Sequence, residues 1–138
     1  MKSLKPLIRL NRWKVDEKSR ALGVLLQEAQ RIQKLDDELT ASLTSEKEIA
    51  SATPEGAAAF ANYVQQVIRR RQQLAGELER LERKIGEARE ELRLAMGEAK
   101  KIEVAEDNRQ TRAADEEKAR ETQVLDDIAL TGFRRKEE

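Results

Sequence analysis

The chain has 138 residues, with 27 basic and 27 acidic side chains, no cysteine and no histidine. That is one domain's length, and without Cys or His there are no disulfides, thiolate nucleophiles, imidazole bases or the usual zinc and haem sites. With six Gly, two Pro and only 3% aromatic residues, turn chemistry is too scarce for a multi-stranded sheet, so the expected fold class is all-α.

The opening stretch MKSLKPLIRLNRWK is basic, but charges recur where a signal peptide needs an apolar run of about 7–15 residues, so it reads as unexported and cytoplasmic. No run of about 18 apolar residues exists to span a bilayer. A first helix is expected over about residues 5–50, started by Ser3 or near Pro6, because proline is tolerated in a first turn. Val15, Leu22, Leu25, Ala29, Ile32, Leu39 and Leu43 fall on one seam, interrupted by Lys18 and Asp36. Leu10, Leu26 and Leu35 widen that stripe, as in a helix drifting from strict heptads.

A bend is expected at about residues 51–54, within SEKEIASATPEGAAAFA. Thr53 reads as an N-cap, Pro54 as the first helical residue, and Glu55 suits the positive end of the helix dipole. The proline also biases residue 53 out of the α region. One helix thus folds back on the next.

The second helix is expected over about residues 55–130. Alternate steps of four and three from Phe60 reach Val64, Val67, Arg71, Leu74, Leu78, Leu81, Ile85, Ala88, Leu92, Ala95, Ala99 and Ile102, and of these only Arg71 is not apolar. Such a 3.5-residue repeat keeps one seam facing a partner helix, which disorder would not do. The sequence therefore predicts a single domain over residues 1–138, an antiparallel two-helix coiled-coil hairpin whose C-terminal helix overhangs the first. At 1.5 Å per residue the arms would be roughly 70 Å and 115 Å long. Facing residues would have numbers adding to about 107. Beyond about residue 106 the chain is polar all round, supported by pairs such as Arg112–Glu116 and Glu116–Arg120. Val124, Leu125, Ile128 and Leu130 restore apolar character before Gly132 stops the helix and leaves a short tail.

Arg71 stands on the seam within a turn of Asp36 and Asp37. It is either an ion pair that fixes register, pairing with Asp36, or a polar device that weakens the hairpin locally. Gly23, Gly76, Gly86 and Gly97 lie off the seam, either as tolerated slack or to admit a close partner. Phe60 plugs the loop end of the seam, whereas Tyr63 suits a docking patch at an uncovered tip. Residues 1–20 carry net charge +5 and residues 103–128 net −5, so the two could attract each other. The basic, Trp-bearing start could alternatively bind anionic lipid. Overall neutrality and missing stacking aromatics argue against nucleic acid.

No phosphate-cradling loop, HExxH or CxxC is present. Neighbouring carboxylates such as Asp36–Asp37, Glu90–Glu91 and Asp126–Asp127 point to different faces, and two helices enclose no dry cleft for acid–base work. No enzyme activity, cofactor, metal or small-molecule substrate is expected.

LKPLIRLNRWKVDEKSRAL (residues 4–22), the alanine-rich bend between two seams, and QVLDDIALTGFRR (residues 123–135) together resemble the FliJ family of flagellar type III export proteins. The resemblance implies a coiled-coil shaft and adaptor, similar in shape to a rotary ATPase stalk. Its expected partners are the flagellar export ATPase ring, the membrane-embedded export gate and export chaperones, with peripheral association at the inner membrane. Carried over by position, Leu7, Arg9, Leu10, Trp13, Leu125, Ile128, Phe133, Arg134 and Arg135 would meet the ATPase at the open end. Leu39, Leu43, Phe60, Tyr63 and Val67 would meet the gate at the tip. The competing expectations are a generic scaffold dimerising through exposed seam, and a peripheral membrane protein using residues 1–14.

Overall fold

The computed structural model describes residues 3–137. It contains two helices, α1 (Lys5–Ala50) and α2 (Pro54–Glu137), and no strand among the described residues. Contacts divide the chain into two units, one formed by Lys14–Ala95 and the other by Met1–Trp13 with Met96–Glu138.

The Lys14–Ala95 unit is an antiparallel helical hairpin. Lys18 Nζ donates to Glu91 at 3.0 Å and Arg71 Nε to Asp36 at 2.8 Å, so opposed residues have numbers adding to 109 and 107. From Phe60 to Ala95 every apolar seam position is buried or half-buried, with Val67, Leu74, Ile85 and Ala88 the most covered. Ile32 is their most covered counterpart on α1. The apolar stripe is narrower than expected, because Leu26 is exposed. Two helices can cover only one stripe each, so apolar residues a quarter-turn away stay wet.

The bend is built from side-chain capping. Ser51 N–H bonds the Lys47 carbonyl and Ser51 Oγ donates to the Glu48 carbonyl, closing the end of α1. Thr53 Oγ1 accepts the Gly56 N–H at 2.9 Å, and the Thr53 carbonyl accepts the Ala57 N–H at 3.1 Å, which makes Thr53 the N-cap of α2. Gly56 is required by space. A Cβ there would lie 2.8 Å from Thr53 Oγ1 and 3.0 Å from the Ala50 carbonyl. At Gly86 the same atom would meet nothing within 4 Å. Gly86→Ala is therefore expected to stabilise by about 0.5–1 kcal/mol. Gly56→Ala is expected to destabilise by about 1–2 kcal/mol, because it strains the cap that a threonine holds. Urea midpoints of the two variants should move in opposite directions.

In the second unit α2 does not stop at Gly132 but continues to Glu137. Glycine ends a helix only when it adopts the left-handed conformation, and no described residue has positive φ. Thr131 Oγ1 bonds the Asp127 carbonyl, and Arg134, Arg135 and Lys136 complement the dipole in the last turn. The supporting pairs also differ from expectation. Arg120 bonds Glu117 at 2.8 Å rather than Glu116, and Arg112 is in none of the ion pairs among the described residues. Helical side chains lean toward the N-terminus, so an arginine reaches back to the glutamate three residues before it. Glu17–Arg20, Glu28–Arg31, Glu90–Arg93, Glu98–Lys101 and Glu106–Arg109 use the same spacing.

Candidate partner-binding surfaces

At the start of α1 the Leu4 carbonyl accepts the Ile8 N–H at 3.0 Å, and Ser3 Oγ accepts the Lys5 N–H at 3.2 Å. No acidic residue lies in the first turn. Glu106 of α2 supplies the missing negative charge. One carboxylate oxygen accepts the Leu4 N–H at 3.0 Å, and the other accepts Ser3 Oγ at 3.3 Å. Arg109 binds both oxygens in a fork at 3.0 and 2.9 Å, and Gln110 Nε2 donates at 3.3 Å. Only 3% of Glu106 is exposed. The Arg109 guanidinium first, then the Leu4 N–H, holds its carboxyl down at about 2, with desolvation opposing them.

Continuing the four-three steps past Ile102 lands on Glu106 and then Arg109, so the seam does not end at Ile102; it turns polar. Asn11 plays a related part on α1, buried with Nδ2 donating to the Leu7 carbonyl at 2.8 Å. Both residues escaped the sequence reading, which followed apolar positions only. Arg12 adds a pair to Glu103 at 3.2 Å.

Around this polar clasp the side chains expected at the open end point outward. Leu7, Leu10 and Trp13 are exposed, Trp13 by 59%, and Arg9 is exposed beside them. Leu10 thus does not widen the covered stripe. Leu125, Ile128, Phe133, Arg134 and Arg135 are likewise exposed, within a stretch of α2 exposed at every residue from 111 to 136.

At the bend end of the hairpin unit, Leu39, Leu43, Phe60 and Tyr63 are half-buried. Val67 is not available to a partner. It is 2% exposed and belongs to the seam, as its place in the four-three series requires. The exposed apolar surface near the bend instead comes from Ile49, 68% exposed, with Ala52, Ala57, Ala58, Ala59 and Ala61. Ile49 escaped notice because it lies off the seam, where an isolated apolar residue is unremarked.

Asp36 and Arg71 form a two-bond fork, at 2.8 and 3.4 Å, next to an apolar groove lined by Ile32, Ile68, Leu74 and Leu78. Asp36 raises the guanidinium above its ordinary value, by hydrogen bond and then by charge. Asp37 faces away and accepts from Gln33. Charge reversal at Arg71 should lower the melting temperature roughly twice as far as reversal at exposed Arg69, since only the former sets two carboxylates together across the seam.

Among the described residues, no helix is long and apolar enough to cross a membrane, and no group of acidic side chains could hold a metal ion. No curated protein and no solved structure matches the chain. The model of the family described as Flagellar FliJ protein, however, matches residues 1–138, the whole length. Two long helices with exposed apolar ends and the family match together establish that this chain belongs to the FliJ family of flagellar protein-export components.

Proposed function

We propose that the protein acts in the flagellar export apparatus as a shaft and adaptor that joins the export ATPase ring to the export gate and assists the cycling of export chaperones. The family is a non-catalytic component of that apparatus. The observation that carries the finer reading is the long stretch of α2 from residue 111 to 136, helical and exposed at every residue. A helix with no covering mate loses the burial that normally stabilises it, and this one keeps large apolar side chains at its far end. It suits a segment whose cover is another protein.

In this reading α2 overhangs α1 and enters the bore of the ring together with the start of α1. Leu7, Arg9, Leu10, Trp13, Leu125, Ile128, Phe133, Arg134 and Arg135 line that contact. Leu39, Leu43, Phe60 and Tyr63, with Ile49 added, meet the gate at the bend, and the Asp36–Arg71 fork fixes the hairpin register. Membrane association follows through the gate.

The test is to mix the purified protein with the flagellar export ATPase and follow ring assembly and ATP turnover. A change in either, lost in Ile128→Asp and Trp13→Asp, is the expected result. No effect on either, with unaltered helicity, overturns the ATPase contact and favours a generic scaffold.

A further inference from the structure

The surface from Glu121 to Lys136 has a property that exposure alone does not require: it is complementary to itself. On α2 the residues Leu125, Ile128, Ala129, Gly132 and Phe133 follow helical spacing and lie on one face, with Val124 at its margin. All are exposed. A charge closes the face at each end, Glu121 toward the N-terminus and Lys136 toward the C-terminus.

We propose that this face binds a second copy of the chain, antiparallel, about a two-fold axis between Ile128 and Ala129. Such an axis sets each residue against the one whose number brings the total to 257. Leu125 then faces Gly132 of the second copy, a large side chain against a position with nothing within 4 Å of where a Cβ would stand. Glu121 faces Lys136, and the two-fold repeats both pairings. Ile128 stands level with Ala129 of the second copy but on the opposite side of the axis, so each also flanks its own counterpart, offset along the helix by about 1.5 Å. A parallel pair would instead put Glu121 beside Glu121 and leave two empty notches at Gly132. A coiled coil selects partner and direction by this combination of flanking charge and shape.

The contact covers about 16 residues, roughly 24 Å of helix. An interface of this size is small, so a dissociation constant on the order of 10 μM is expected. The face coincides with part of the surface proposed for the ATPase, so the dimer is a form in which that surface is covered. The pairing itself does not depend on the ATPase reading.

The experiment uses the full chain alone. Sedimentation equilibrium from about 1 to 200 μM should show a monomer–dimer equilibrium on the scale of the constant above. Ile128→Asp should weaken it at least tenfold with unchanged helicity and melting. Glu121→Lys should weaken it about threefold to tenfold, and adding Lys136→Glu should restore it. Because the chain has no cysteine, Ala129→Cys gives a unique thiol beside the axis and should oxidise to a linked dimer, whereas Gln123→Cys on the opposite face should not. A monomer throughout that range overturns the proposal and leaves the face to a different protein. Equal cross-linking at positions 123 and 129, or failure of the charge exchange to restore binding, overturns the antiparallel register.

Discussion

Leu74→Ala is expected to lower the free energy of unfolding by about 2–3 kcal/mol, more than truncation at any other seam position. Leu74 is the most completely buried side chain of the hairpin, 1% exposed. It shares the wall of a groove with Ile32, Ile68 and Leu78, immediately beside the Asp36–Arg71 fork. Removing its three distal carbons takes away transfer free energy and opens a void that two rigid helices close only in part. The loss stays near the lower end of the range for buried leucine because the groove opens to water, which partly fills the space. Leu94→Ala provides the comparison, since Leu94 is exposed and should cost less than about 0.5 kcal/mol. Urea titration followed by circular dichroism reads both. Equal midpoints for the two variants would mean that the seam does not hold the hairpin.

Acid is expected to loosen the start of α1 through one group, Glu106. Its carboxyl is depressed in the folded chain to about 2 from an ordinary 4.5. A depressed carboxyl favours the folded form at every pH above its unfolded value, so the contribution is complete from neutrality down to about 4.5. It is then lost as pH falls through the folded value near 2. Between pH 5 and 8 the contribution of this group is therefore complete and constant, and it adds no pH dependence to stability there. The backbone amide of Leu4, which donates directly to the carboxylate, gives the readout. Its nitrogen chemical shift should titrate with a midpoint near 2 in the native protein and stay flat in Glu106→Gln. A midpoint near 4.5 would show that the carboxylate is not engaged. At neutral pH the amide variant keeps the shape but surrenders the charge opposite Arg109, so exchange protection at Ile8 should fall roughly tenfold.

Much of the fold was legible because a two-helix seam has a one-dimensional code. The four-three series from Phe60, the Thr53–Pro54 cap and the Asp36–Arg71 opposition all follow from period and capping chemistry, and each appears in the structure. Features that depend on polar atoms were not legible in the same way. Glu106 occupies a seam position, but nothing about a glutamate in an acidic stretch says that a backbone N–H from about a hundred residues earlier will meet it. Gly132 failed in the opposite sense: glycine often ends a helix, and only the backbone conformation decides whether it does. Val67 was assigned to a partner although its own place in the series marks it as core. Surface roles cannot be read from periodicity at all, since exposure at Leu125 or Trp13 states that water is the present neighbour without naming its replacement.

The arrangement of charges bears on how the molecule responds to electrolyte. Among the described residues, seven of the ten ion pairs lie within a single helix and only Arg12–Glu103, Lys18–Glu91 and Arg71–Asp36 join the two. Each of those seven pairs largely neutralises its own field at short range, well inside the ~8 Å screening distance of physiological ionic strength. Counterions have little left to shield between the helices, and the hairpin should keep its register across a wide range of dissolved salt.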